Sequence, residues 1–213
     1  MGLKTQRFQN TPAFFQNRPI LLLVIAFSAN GCGEENPVDL PGQCEEEGVA
    51  EELECNGTIV FQSSLGNAHV SDETSPIPYP CSPPASGPHY PRWAVWGESS
   101  NPIPREHWVH NLEHGGIGLL YRCDDGCEEW VAQLRQEMES QPIDLSCSGG
   151  VSSRIFLTED TLLPRSPMIA AVAWEYVYTA DCVAPESLRR FVDDHYGNGP
   201  ESTCAQGTFS PDI

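Results

Sequence analysis

Eight cysteines spread between residues 44 and 204 constrain this chain more than any other feature: Cys44, Cys55, Cys81, Cys123, Cys127, Cys147, Cys182 and Cys204. An even set of this kind, in a chain that leaves the cytoplasm, is expected to pair fully and to staple one domain from several directions. Sequence suggests two of the pairs. Cys123-Asp124-Asp125-Gly126-Cys127 has a flexible glycine and can close on itself, and Cys147 and Cys182 flank two segments expected to form a hairpin. Cys44, Cys55, Cys81 and Cys204 are left unassigned. A cysteine-ligated metal site is the competing reading, but no Cys-x-x-Cys pair is present to start one.

The oxidising compartment is inferred from the N-terminal residues. Lys4, Arg7 and Arg18 precede the apolar run from Ile20 to Phe27, with no acidic residue among them, and Ser28, Ala29 and Gly31 follow before a ninth cysteine, Cys32. A basic region, a short apolar region and small residues are the three parts of a secretory signal, and the run is too short to span ~30 Å of hydrocarbon. Ala29-Asn30-Gly31-Cys32 resembles a bacterial lipobox, although Asn30 and the lack of leucine at its usual place depart from it. The expectation is a signal peptide over 1–31, a lipidated Cys32 and attachment to the bacterial cell envelope. Simple secretion is the alternative.

Without that leader the chain has eight basic side chains, all arginine, against thirty acidic ones, a net charge of −22. Such a surface repels phosphate backbones and anionic headgroups, so nucleic-acid partners are excluded and contact with the membrane is expected through the lipid alone. Residues 32–54, with Glu45-Glu46-Glu47 and Glu51-Glu52, read as a solvated acidic tether. Residues 55–213 suffice for one domain.

Within that domain, Thr58-Ile59-Val60-Phe61 and Ile117-Gly118-Leu119-Leu120-Tyr121 read as strands. Glu128 to Glu139 reads as an amphipathic helix with Trp130, Leu134 and Met138 on one face, and Pro185 to His195 as a second with Pro185 in its first turn. Val151–Thr158 and Met168–Tyr178 are expected to pair as antiparallel strands. The predicted fold is therefore α+β: a mainly antiparallel sheet with two helices on one face and a long Pro/Gly/Trp-rich loop.

Five of the six histidines lie in the 46 residues from His69 to His114, in sequence that otherwise reads as loop. One helical turn would put His110 and His114, four apart, on a common face with Glu113 beside them. The segment Pro83-Pro84-Ala85-Ser86-Gly87-Pro88 restricts the backbone in front of His89. His89, His110 and His114 are the expected metal ligands, with His69 as a fourth and His107 and His195 as bystanders. The tryptophans Trp93, Trp96 and Trp108 are read as packing beneath the loop.

Pro83-Pro84-Ala85-Ser86-Gly87-Pro88-His89-Tyr90 and Val109-His110-Asn111-Leu112-Glu113-His114-Gly115-Gly116 resemble the two signature blocks of domain of unknown function 3105. The resemblance extends from His69-Val70 through Ala173-Trp174 to Gly199-Pro200-Glu201, and reaches part of the animal tumour protein p53-inducible protein 13. It implies an exported or membrane-anchored bacterial protein and marks the histidines as the site, but brings no established reaction. Cys81 and the other cysteines lie outside the family pattern. His110-x-x-Glu113-His114 also spells the H-x-x-E-H string of inverted zinc peptidases, yet Gly115-Gly116 stops any helix at once, where those enzymes need a long one.

Three functions follow. The leading one is a lipoprotein that binds zinc or copper(II), ions that suit imidazole, through the histidine cluster. The second is a metal-dependent hydrolytic enzyme with Glu113 as general base. The third is a structural or interaction lipoprotein whose histidines only hydrogen-bond the loop into place.

Overall fold

A computed structural model of the chain describes residues 43–49 and 53–212. The leader, Cys32 and the first part of the acidic segment lie outside these residues. Among the described residues seven strands form one sheet in the order β1-β2-β7-β6-β4-β5-β3, where β1 is Glu46–Val49, β2 Thr58–Gln62, β3 Gly97–Glu98, β4 Ile117–Tyr121, β5 Ile155–Glu159, β6 Ile169–Ala173 and β7 Tyr176–Ala180. Among the described residues three α-helices accompany it: α1 (Arg105–Glu113), α2 (Glu128–Glu139) and α3 (Pro185–His195). The fold is α+β and mostly antiparallel, as expected. The parallel pairings among these seven strands are those β5 makes with β4 and β3. The first follows from connectivity, because α2 carries the chain back across the sheet between β4 and β5.

Alternation along β4 divides the core in two. Ile117 and Leu119 pack with Leu134 of α2 and Leu188, Phe191 and Val192 of α3. Leu120 points the other way, toward Trp108, Val109 and Leu112 of α1. Gly118 lies on that second face, where a Cβ would meet the Phe156 ring at 2.3 Å, so the strand has to omit a side chain there. The two expected helices do share one face. The other is covered by α1, a third helix inside the stretch read as loop. All nine of its residues are buried, polar and apolar alike, so it has no solvent-facing side to set an amphipathic period by which sequence could reveal it.

Two pairings differ from expectation. Val151–Thr158 and Met168–Tyr178 do not form a hairpin with each other, because β4 lies between β5 and β6. The hairpin is internal to the second segment: β6 and β7 pair from Ile169↔Ala180 to Ala173↔Tyr176 around Trp174-Glu175. Glu175 adopts a left-handed φ of 65°, held by N–H donation to the Ala85 carbonyl and by acceptance from Gln62 N–H. Nothing at this turn resembles the usual Asn-Gly signal.

Cys147 does not pair with Cys182. The disulfides are Cys44–Cys81, Cys55–Cys182, Cys123–Cys127 and Cys147–Cys204, so only the short loop is as expected. The reason lies in register. β2 and β7 pair with Thr58 opposite Thr179, and continuing that ladder outward brings Cys55 opposite Cys182. Part of the expected tether is also built into the domain, since Glu46–Val49 pairs with β2 and Cys44 is bonded to Cys81. Among the described residues no helix is long and apolar enough to cross a membrane.

Candidate metal centre

The site is assembled around the C-terminal end of α1. At the helix start, Arg105 forms a buried ion pair with Asp160, Nη2 to Oδ2 at 2.7 Å. Farther along, Asn111 clamps the backbone of Ala94, its Oδ1 accepting from Ala94 N–H and its Nδ2 donating to the Ala94 carbonyl, both at 2.9 Å. The helix ends in a Schellman motif. Gly115 takes φ of +75° and donates to the Leu112 carbonyl, and Gly116 donates to Asn111, both at 2.9 Å. His110 and Glu113, three apart, therefore sit on one face of the last turn with their separation fixed by helix geometry.

Two extended segments complete the cluster. His69 and His89 form a parallel bridge, with Val70 N–H donating to the His89 carbonyl (2.8 Å) and His89 N–H to Ala68 (3.0 Å). Parallel pairing puts both imidazoles on one side. The ring centroids of His69, His89 and His110 lie 4.6–4.9 Å apart. Glu113 Oε2 is 3.6 Å from His69 Nε2, 3.0 Å from His89 Nε2 and 3.9 Å from His110 Nε2. These four residues offer ligand atoms all within 4.8 Å of one another and could hold a metal ion.

The hydrogen bonds decide the electrostatics. His89 Nδ1 contacts the Gly87 carbonyl at 2.8 Å and His110 Nδ1 the Tyr90 carbonyl at 2.7 Å, so each Nδ1 is placed to donate and each Nε2 to present a lone pair. Burial pushes both imidazoles down to about 4, which keeps them neutral at physiological pH. A neutral imidazole has one proton. Whichever nitrogen of His89 holds it, the other faces an oxygen acceptor, either Gly87 O at 2.8 Å or Glu113 Oε2 at 3.0 Å. One proton shared between His89 and Glu113 would satisfy only that pair. A cation among the four would satisfy all of them.

His114 falls in a neighbouring group with Glu113 and Glu201, not in the four-residue cluster. Its Nε2 is 3.4 Å from Glu201 Oε2, and burial pushes it, too, down to about 4. His107 is elsewhere, stacked on Phe209 with its Nδ1 against the Arg92 carbonyl at 2.6 Å, and His195 stacks on Tyr176. Glu113, read from sequence as a candidate general base, lies within reach of three imidazoles in the group that could hold an ion, and its three-residue spacing from His110 was the available signal.

The closing segment seals the helix end. Gly197 donates its N–H to the Gly115 carbonyl (2.8 Å) and Glu201 to the Glu113 carbonyl (2.9 Å). The profile of a family described as a protein of unknown function (DUF3105) matches residues 69–207, a span that begins at His69 and contains every residue of both groups. This chain belongs to the DUF3105 family. No curated protein and no solved structure was found to match it. Within the DUF3105 span, His69-Val70, Ser86-Gly87-Pro88-His89, His110 to Gly116 and Gly199-Pro200-Glu201 are separate in sequence and come together around one point.

Proposed function

We propose that this DUF3105 protein is an exported, lipid-anchored bacterial envelope protein that binds a divalent transition metal, zinc or copper(II), through His69, His89, His110 and Glu113. The observation that carries the reading is the convergence of three imidazole Nε2 atoms on one carboxylate oxygen, with two of the opposite ring nitrogens held by backbone carbonyls. Backbone acceptors behind ligand imidazoles fix tautomer and ring orientation, as metal sites require. Three nitrogens and one oxygen form a borderline donor set suited to zinc or copper(II). With its side chain 49 % exposed, His69 gives the ion a route in and out.

Glu113 is a ligand in this reading. That favours holding or delivering the ion over the hydrolytic alternative, in which Glu113 must remain free to take a proton from water. Export rests on the basic and apolar leader, Cys32 and the four disulfides.

Titration calorimetry of the demetallated protein with zinc and with copper(II) tests the metal. Stoichiometric binding that is lost in His89→Ala and His110→Ala is expected. No binding of either ion, or binding indifferent to both substitutions, returns the histidines to a structural role. For the anchor, labelled fatty acid is expected on the wild type and not on Cys32→Ser; equal labelling removes the lipid.

A further inference from the structure

We infer that Glu113 bridges two cations, the second held by Glu113, His114 and Glu201 beside the three-histidine position. The inference rests on the metal reading and extends it. Ligand atoms of these three residues lie within 4.8 Å of one another, and Glu113 belongs to both groups. His114 is almost wholly buried, yet its Nδ1 has no hydrogen-bond partner and its Nε2 meets only the Glu201 carboxylate, at 3.4 Å. A buried imidazole with one nitrogen idle and the other at a long contact is poorly served by hydrogen bonding alone.

Glu201 is not a chance surface acid. Its N–H is bonded to the carbonyl of Glu113, which ties the two backbones together, and carboxylate oxygens of the two residues lie within 4.8 Å of each other. The His110 and His114 rings are 4.6 Å apart, and Trp93 contacts both, walling the two positions on a common side. Carboxylate-bridged pairs of metal ions are typically about 3.5–4 Å apart, a spacing that one shared glutamate imposes. The neighbouring Arg154 donates to the His114 carbonyl and to Asp144. The second position has one imidazole and a half-exposed Glu201, so it is the weaker and more readily exchanged of the two.

The test is metal stoichiometry on the whole mature protein. Demetallated wild type titrated with zinc is expected to take two ions, the second at least tenfold more weakly. Glu201→Gln and His114→Gln are each expected to take one, with the first affinity within a few-fold of wild type. Copper(II) supplies a readout of the bridge: the paramagnetic resonance signal should rise over the first equivalent and fall over the second as the two ions couple. One ion at saturation in the wild type, or two ions in both variants, overturns the second position and leaves the three-histidine site intact. Absence of any bound ion overturns both.

Discussion

Gly199 lies against the backbone of Glu113, so closely that a Cβ on Gly199 would stand 2.2 Å from the Glu113 carbonyl oxygen. The opposing atom is backbone at the end of α1 and cannot swing aside, so Gly199→Ala must displace the turn that places Glu113. A loss of ~1–3 kcal/mol in stability is expected, with weakened metal binding. Gly48, where a Cβ meets nothing within 4 Å, is the control. Gly48→Ala should stay within about 0.5 kcal/mol of wild type in chemical denaturation.

Glu113→Gln separates a ligand from a base. Because Glu113 Oε2 stands within 3.0–3.9 Å of three imidazole nitrogens, replacing it with a weakly coordinating amide should lower metal affinity at least ~100-fold. A general base would leave affinity nearly unchanged. His195→Ala, distant on α3, should leave affinity as it was, measured by the same calorimetry.

Acid should destabilise the metal-free protein earlier than its carboxylates alone require. Burial holds His89, His110 and His114 at about 4 in the folded state, below the ~6.5 of an unfolded chain. Between those values the unfolded chain binds more protons. Their neutrality therefore favours the fold fully above pH ~6.5, and this contribution is lost as pH falls toward about 4. Denaturation of the metal-free protein between pH 7.5 and 4.5 should show a loss on the order of several kcal/mol. Replacing His89 and His110 together by glutamine should flatten that slope; an unchanged slope would falsify its assignment to the cluster.

The disulfides should contribute unequally. Cys55–Cys182 closes a loop with a sequence separation of 127, whereas Cys123–Cys127 has a separation of 4. Chain-entropy arguments assign about 5 kcal/mol to the first and about 2 kcal/mol to the second. Paired serine variants at each bridge, compared in urea, should reproduce that order. Alkylation of the denatured, unreduced protein should find no free thiol among these eight cysteines.

Elements with a clear apolar pattern were legible in the sequence: α2 and α3, apolar on one face, run between the expected residues, and β4, buried on both faces, matches its continuous apolar run. The helix that carries His110 and Glu113 was not, because burial of all nine residues of α1 erases the periodicity that marks a helix. The histidines were legible as a set, yet the division between His69, His89 and His110 on one side and His114 on the other is tertiary. It depends on a parallel bridge between His69 and His89, which no local pattern encodes. Glu113 was visible as a chemical group, but only its distances to three rings place it within the cluster. The bridge between Cys55 and Cys182 was hidden for the same reason, since strand register has to be known first.

No cysteine lies between Ser82 and Arg122, so the stretch that carries His89, His110 and Glu113 contains no sulfur cross-link of its own. A bound ion there would act as a fifth staple, made and unmade by the surroundings rather than by oxidation. Resistance to heat or protease then becomes a meter of free metal, gaining ~1.4 kcal/mol for each tenfold rise in concentration above the dissociation constant.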